Sequence, residues 1–205
     1  MVLLAASAAL FHRLSGAVDM ILGSVSSNRD VPGLAGVVGC FVNPLPLRIR
    51  VEPRQSFAAL LRSVRSVSLQ ALEHGAWPFD LLVRDLRAGG DPGRAPLFDI
   101  GLSWNALPHM QRRQFAGCDL APFGEAPATA KYDLLIIAGG GETGIAGVIE
   151  YAADLFDAPA VAALAGQFCA ILEQVGGEDV AVTDLALGPD APAPPRAPLT
   201  IELQL

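Results

Sequence analysis

The sequence has 205 residues, which is enough for one sizeable domain or for one lobe of a larger fold. Hydrophobic residues make up 52% and charged residues 17%, which predicts a large core and an additional apolar face for a partner. The formal net charge of -7 argues against a phosphate-binding surface, so nucleic acid is not an expected partner. Cys40, Cys118 and Cys169 are far apart, indicate neither a disulfide framework nor a zinc site, and fit a reducing cytoplasm.

The first 25 residues predict a helix followed by a buried strand. Residues 1–14 are rich in Ala and Leu, and the pair Ser15 and Gly16 ends the helix. This apolar run is too short to span a bilayer and lacks the positive region of a signal peptide, so no membrane is expected as a partner. Residues 19–25 are typical of a buried strand in a parallel or mixed sheet.

Residues 39–51 predict a loop that leads into a half-buried strand. The prolines at positions 44 and 46 exclude a helix here. Apolar residues then alternate with arginines, namely Leu47, Ile49 and Val51 with Arg48 and Arg50. This alternation places the arginines on the face opposite the apolar side chains.

Residues 52–73 predict an amphipathic helix, and residues 77–80 begin a second one. Apolar residues recur at helical spacing in the first: Phe57, Leu60, Leu61, Val64, Val67 and Leu72. Three arginines lie off that face: Arg54, Arg62 and Arg65. His74 and Gly75 close the first helix, and Pro78 lies near the first turn of the second.

The middle of the chain predicts a strand and then a β-hairpin. A turn-rich loop at 89–93 precedes the strand at 100–104. The hairpin strands cover residues 131–137 and 145–151, and the glycine-rich run 139–144 joins them.

The end of the chain predicts one more helix and a tail. The helix covers about residues 159–175. After residue 187 the composition shifts to Gly, Pro and Ala, so residues 188–205 are expected to form a Pro/Ala-rich tail. Residues 200–205 could add a short edge strand to it. We find no internal repeat.

No set of residues forms an active site by spacing alone. The three histidines stand apart in the sequence: His12, His74 and His109. A surface or capping role is expected for each, because general acid–base work needs a partner within hydrogen-bond distance. The run 139–144 has P-loop spacing, but Ile145 stands where the phosphate-binding lysine is required. No catalytic residue and no metal ligand is therefore assigned.

Four runs resemble the signatures of the condensation domains of nonribosomal peptide synthetases. Residues 39–48 resemble the family's G-x-F-V-N-T-x-x-x-R signature. Residues 3–29 resemble its L-x-R-x-T-G-x-x-D-x-x-x-G run with the arginine that follows. Residues 74–80 resemble H-Q-D-x-P-F-E, with the Gln and the first Asp replaced and Asp80 in place of Glu. Residues 94–98 match R-x-P-L-F. The hairpin followed by the last helix also resembles the order of elements at the end of a condensation domain.

The resemblance covers about residues 3–187 and corresponds to the C-terminal half of a condensation domain. It implies that residues 1–187 form one lobe of a chloramphenicol-acetyltransferase-like α/β fold, a mixed β-sheet covered by helices. In the family two such lobes form a V, and the substrates meet in a tunnel between them as thioesters on carrier proteins. The family's catalytic H-H-x-x-x-D-G motif belongs to the N-terminal half and does not occur in this sequence.

The resemblance places five residues at the substrate channel or the lobe interface: Arg29, Asn43, Arg48, Trp104 and Asn105. In the family an arginine of this lobe holds the aspartate of the catalytic motif, and Arg29 is a better candidate for that role than Arg48. A solvated arginine at a strand end remains the alternative. Asn43 either lines the channel or satisfies the loop backbone. Residues 103–105 are similar to an epimerization-type F-N-Y segment.

The cysteines favour a cytoplasmic protein, and the resemblance implies that it contributes to amide-bond formation when another polypeptide supplies the N-terminal lobe. The expected partners are a peptidyl or aminoacyl carrier protein and either that lobe or a second copy of this chain, since a lobe without its mate exposes apolar surface. No cofactor is expected to bind directly, because phosphopantetheine is carried by the partner. Two alternatives stay open, a noncatalytic docking module for a carrier protein or synthetase subunit and an inactive truncated fragment.

Overall fold

The computed structural model describes residues 1–29, 32–86, 95–104, 113–115, 118–120, 129–141 and 144–188. Within these ranges the helices are α1 (Val2–Ser15), α2 (Phe57–Glu73), α3 (Phe79–Asp85) and α4 (Ala158–Gln174). The strands are β1 (Asp19–Ser26), β2 (Asn43–Arg50), β3 (Ile100–Trp104), β4 (Arg113–Phe115), β5 (Cys118–Leu120), β6 (Leu134–Gly141) and β7 (Gly144–Tyr151). A short 3₁₀ helix at Val182–Asp184 follows α4.

Five of the strands form one mixed sheet in the order β2-β1-β3-β6-β7. The three central strands are parallel, and β2 and β7 pair antiparallel to them at the two edges. Strands β4 and β5 form a separate antiparallel pair that the sequence did not predict. The predicted mixed β-sheet covered by helices is confirmed.

Helix α1 lies at the centre of the helical layer, packed against both α2 and α4. Nine of its residues are buried, so it is apolar on almost all sides, as expected for a core helix. Its buried polar residues are satisfied: Ser7 donates to the Leu3 carbonyl, and the ring of His12 hydrogen-bonds the Ala17 carbonyl at 2.8 Å. Gly16 adopts a left-handed conformation with φ of 75° and ends the helix as predicted.

The main core lies between this helical layer and one face of the sheet. Met20 and Leu22 of β1 contribute to it, together with alternate residues of β2 and β6. Helices α2 and α4 begin at side-chain caps, with Ser56 and Asp157 accepting backbone N–H bonds. None of the helices in the described ranges is long and apolar enough to cross a membrane.

Strand β2 begins four residues earlier than predicted and contains both prolines. Pro44 and Pro46 lie in the strand and pair with Val25 and Gly23 of β1. Because β2 is an edge strand, a proline whose backbone nitrogen points away from β1 removes no hydrogen bond between the two strands. The alternation of buried apolar residues with exposed arginines along β2 is confirmed.

Other boundaries also differ from the predictions. Helix α2 begins at Phe57 rather than near residue 52, because Ser56 caps it, and Leu72 lies on its exposed side. Strand β6 begins only at Leu134 and continues through the glycines that were predicted to form the turn. The predicted loop at 89–93 and the tail after residue 188 lie outside the described residues.

A close contact between Gly23 and Phe98 joins β1 to the segment that leads into β3. Phe98 is buried and lies over Gly23, on the sheet face opposite Met20 and Leu22. A Cβ atom on Gly23 would stand 1.9 Å from Phe98 Cε2. Glycine is therefore required at this position of the strand if the ring is to keep its place.

Replacing Gly23 by Ala should lower the free energy of unfolding by about 1–3 kcal/mol, because the new methyl group overpacks the contact with Phe98. Gly36→Ala is the matched control, since nothing lies within 4 Å of a Cβ at that position. It should stay within about 0.5 kcal/mol of the wild type. Urea unfolding followed by circular dichroism measures both. Equal losses in the two variants would contradict the proposed steric role of Gly23.

Candidate functional site

Three of the predicted site residues lie at one end of the sheet. Arg29 follows β1, Asn43 begins β2 beside the end of β1, and Trp104 ends β3. This is the carboxyl end of the parallel strands, where open α/β sheets usually bind their ligands. Arg48 pairs with Ile21 nearer the other end of β1 and is not part of this group. Asn105 lies outside the described residues.

Arg29 holds the part of the loop between β1 and β2 that covers residues 34–39. Its Nη1 donates to the carbonyls of Leu34 and Val37, each at 2.9 Å, and its Nη2 donates to the carbonyl of Gly39 at 2.8 Å. The guanidinium also lies 4.9 Å from the centre of the Phe41 ring, a cation–π contact. These contacts give Arg29 a structural role in the loop that the sequence did not predict. An ion pair with a carboxylate of another lobe stays a prediction.

Asn43 holds the turn between α2 and α3. Its Nδ2 donates to the carbonyls of Gly75 and Trp77 at 3.0 and 2.7 Å, and its Oδ1 accepts from the Phe79 N–H at 2.9 Å. All of these partners are backbone groups that the turn would otherwise leave unpaired. Asn43 thus has the structural role considered above, and its role in a substrate channel stays a prediction.

A cleft of about 490 Å³ opens beside Asn43. It is lined mainly by apolar atoms of the β2 start, α3, and the segments before β3 and β6, and Tyr132 and Lys131 form part of its wall. Behind it, the Phe98 ring packs against Phe79 and Tyr132, with ring centres 5.8 and 5.3 Å apart. The volume is in the range of small-molecule sites.

Apart from Asn43, the residues that form the cleft and its back wall were not predicted to be site residues. Phe79 and Phe98 lie in runs that resemble family signatures, and this resemblance could have indicated that they lie near the site. Lys131 and Tyr132 were predicted to belong to a strand, but they precede β6 and reach the cleft instead. Only the packing of the chain brings these four residues together.

Arg48 is paired within the sheet. Its Nε and Nη2 donate to the two carboxylate oxygens of Asp19 at 2.9 and 2.8 Å, and Arg50 adds an N–H at 3.2 Å. The hydrogen bond from Arg48 is the main cause that holds the pKa of Asp19 below its usual value of 3.8, while partial burial acts in the opposite direction. Arg48 therefore serves to join β1 and β2 across their exposed face.

Trp104 is an exposed aromatic residue, with 54% of its surface accessible. Its ring passes so near Gly140 of β6 that a Cβ there would stand 3.2 Å from it. Glycine at that position lets the indole lie over the neighbouring strand. Trp104 presents an apolar surface at the same end of the sheet as Arg29.

No catalytic set is formed by the titratable groups of the described residues. His12 is a buried cap, His74 is exposed at the end of α2, and His109 lies outside the described ranges. The three cysteines are free thiols. No group of three or more His, Cys, Asp or Glu residues in the described part of the chain is arranged to hold a metal ion. This end of the sheet has a cleft, exposed apolar side chains and a loop that is held by hydrogen bonds from Arg29.

Comparison with known proteins defines the class. The family model for the Condensation domain matches residues 1–181. Surfactin synthase subunit 2 of Bacillus subtilis (strain 168) is 34% identical over 152 residues, which are 72% of this chain and 4% of that protein. Tyrocidine synthase 3 of Brevibacillus parabrevis is 34% identical over 175 residues, 85% of this chain and 3% of that protein. The chain thus spans only a few per cent of these relatives.

Solved structures share the fold. A four-domain nonribosomal peptide synthetase bound to AMP and glycine superposes with a TM-score of 0.82 at 24% identity, covering 92% of this chain and 16% of that one. The first condensation domain of the calcium-dependent antibiotic synthetase gives 0.71 at 24% identity, covering 90% of this chain and 40% of that one. The fold is thus the chloramphenicol-acetyltransferase-like α/β fold that the sequence predicted.

The mixed sheet and its helical layer define the condensation-domain class of α/β proteins. This chain belongs to the Condensation domain family of nonribosomal peptide synthetases.

The amide of Asn43 gives a prediction about stability. Asn43→Ala removes three hydrogen bonds and should cost about 1–3 kcal/mol. Asn43→Asp keeps the acceptor for Phe79 but turns a second oxygen toward two carbonyls. Its pKa should be raised in the folded state, so its stability should fall as pH rises from 4 to 7. Urea unfolding at both pH values measures this.

Gln70→Glu, an exposed change of the same chemistry on α2, is the control for Asn43→Asp and should show no comparable loss at pH 7. If Asn43→Asp were as stable as the wild type at pH 7, the backbone role of Asn43 would be refuted.

Asp19 gives a prediction about pH dependence. Its pKa is lowered in the folded state, so the stability that it contributes is present above its unfolded value of about 3.8 and is lost as pH falls through the lower folded value. The wild type should therefore be more stable than Asp19→Asn at pH 6, and the gap should narrow steadily below pH 4. Chemical unfolding at pH 6, 4 and 3 measures the gap. A gap that is constant with pH would contradict an ionic role for the pair with Arg48.

Proposed function

We propose that this chain is the C-terminal lobe of a nonribosomal peptide synthetase condensation domain and forms one wall of its substrate tunnel. The observation that carries the proposal is the family match over residues 1–181 combined with coverage of only 40% of a solved condensation domain. In this role the chain contributes to amide-bond formation between aminoacyl and peptidyl thioesters. The thioesters are held on phosphopantetheine arms of carrier proteins, which are the proposed partners.

The chemistry requires a second lobe. In amide formation the amine nitrogen attacks the thioester carbonyl, the nitrogen loses a proton and the thiol leaves. A base must lie within hydrogen-bond distance of that proton. The titratable groups of the described residues form no such site, and the 205 residues contain no pair of adjacent histidines. We therefore assign the proton transfer to a lobe that carries the family's H-H-x-x-x-D-G motif.

Exposed apolar residues support the position of that second lobe. The loop held by Arg29 presents Val37, Val38 and Val42 to solvent, and Val38 is 100% exposed. Apolar residues displayed on a loop that is fixed by three hydrogen bonds lose little entropy when a partner covers them. Removing apolar surface from water favours association by about 25 cal/mol per Å², against which the entropy cost of association must be set. We infer that this loop faces the second lobe.

Arg29 suits a carboxylate of that lobe. Three of its five N–H groups bind the loop carbonyls, while Nε–H and one N–H of Nη2 have no partner among the residues that the structure describes. Nε–H and an N–H of Nη2 can together bind the two oxygens of a carboxylate. The predicted ion pair with the aspartate of the catalytic motif therefore needs no rearrangement of the loop.

Reconstitution tests the proposal. The chain is co-expressed with a condensation lobe that carries H-H-x-x-x-D-G, and product is measured by mass spectrometry from carrier-bound donor and acceptor substrates. We expect amide product from the pair and none from this chain alone. Val38→Asp should weaken the association of the lobes at least tenfold, because it buries a charge at the interface. Leu155→Asp, a similarly exposed apolar site on another part of the chain, is the control and should have no effect.

The outcomes separate the candidate functions. Product from this chain alone would overturn the assignment of proton transfer to another lobe. Carrier binding without product from the folded pair would favour the noncatalytic docking module. Association with neither the lobe nor the carrier would favour an inactive fragment.

A further inference from the structure

The two edges of the sheet are built differently. The β2 edge contains Pro44 and Pro46, which have no N–H groups to offer to another strand. The β7 edge, with the sequence Gly-Ile-Ala-Gly-Val-Ile-Glu-Tyr, contains no proline, lysine or arginine and only one charged residue, Glu150. Among the described residues no strand pairs with the outer side of β7. Natural proteins rarely leave such an edge unprotected.

An apolar groove accompanies this edge. A cavity of about 150 Å³ lies between α4 and the β6–β7 hairpin, with Phe168 and Leu172 on the helix side and Ile145 and Ile149 on the strand side. Ile145 is 61% exposed although it belongs to the sheet face that the helices cover. A strand added beside β7 would insert its side chains into this groove and cover Ile145.

We propose that β7 pairs with β7 of a second copy of this chain, antiparallel and about a two-fold axis, so that the two sheets become one sheet of ten strands. A strand paired with its own copy in this way forms a self-complementary interface, as two-fold symmetry requires. The backbone of both strands supplies the hydrogen bonds, and the apolar residues of β7 and of the α4 flank supply the buried surface.

The size and charge of the interface fit a second copy. An eight-residue strand is about 27 Å long, and with side chains on both faces it covers a strip roughly 15 Å deep. The flank of the 17-residue helix α4, about 25 Å long, extends this strip. The strand strip alone covers about 400 Å² on each copy, or about 800 Å² over both, and with the α4 flank the interface falls in the range of small, weak complexes. Since β7 has one charged residue, two acidic chains can meet here with little repulsion.

The dimer edge is separate from the proposed lobe interface. Strands β2 and β7 are the opposite edges of the five-stranded sheet, about 19 Å apart at the usual strand spacing. The loop held by Arg29 leads into β2. Dimerisation through β7 therefore leaves that loop accessible and does not depend on the proposed function.

Sedimentation velocity of the full chain between 1 and 200 µM tests this proposal, together with hydrogen exchange of the backbone amides. We expect a dimer with a dissociation constant on the order of 10 µM, as the small interface implies, and slower exchange of β7 amides at the higher concentrations. Val148→Lys and Ile145→Lys should each weaken the dimer at least tenfold. Leu72→Lys and Leu155→Lys are the matched controls, since Leu72 and Val148 are both 49% exposed, and Leu155 is 62% exposed. Circular dichroism confirms that each variant folds.

Three results would overturn the proposal. The first is a monomer at every concentration with unprotected β7 amides. The second is a dimer that both β7 variants leave intact, which would mean that another surface is used. The third is a monomer whose β7 amides are protected at every concentration, which would mean that a strand of the same chain covers the edge.

Discussion

The contact of Phe98 with Gly23 is the constraint on which the arrangement of the site depends. Since glycine leaves room for the ring on the open face of β1, Phe98 can pack against both Phe79 and Tyr132. The N–H of Phe79 is in turn held by Asn43 at the start of β2. Gly23 thus sets the position of the Phe98 ring behind the cleft, and Asn43 holds the start of α3 beside it.

The end of the sheet beside this cluster is organised by side chains that bind backbone groups. Arg29 forms hydrogen bonds with three carbonyls of one loop, and Asn43 forms hydrogen bonds with three backbone groups of another. Each set of hydrogen bonds therefore restricts the conformation of its loop, with Arg29 acting from within the loop and Asn43 from the start of β2. Such loops can present apolar residues to a partner with little further ordering, which is what a lobe of a two-part tunnel requires.

Local pattern predicted much of the fold, but packing decided the details of the site. The composition of α1, the periodicity of α2 and α4 and the alternation in β2 were visible in the sequence, since each depends on neighbouring residues. The prolines of β2 were predicted to lie in a loop before the strand. A strand tolerates proline when it is at the edge of a sheet, and the position of a strand is a property of the whole sheet. The three short contacts of Arg29 could not be predicted either, because they depend on how the loop after β1 folds back. Family resemblance identified the residues at this end of the sheet, though not their bonding partners.

The proposed function requires that the loop held by Arg29 meets a second lobe. Its most direct test is an NMR titration of the isotope-labelled chain with a folded condensation lobe that carries H-H-x-x-x-D-G. We expect shifts of the amides of residues 36–42 and of the Arg29 side chain, while the amides of β7 keep their positions. Saturable binding that shifts other regions and leaves residues 36–42 unchanged would contradict it.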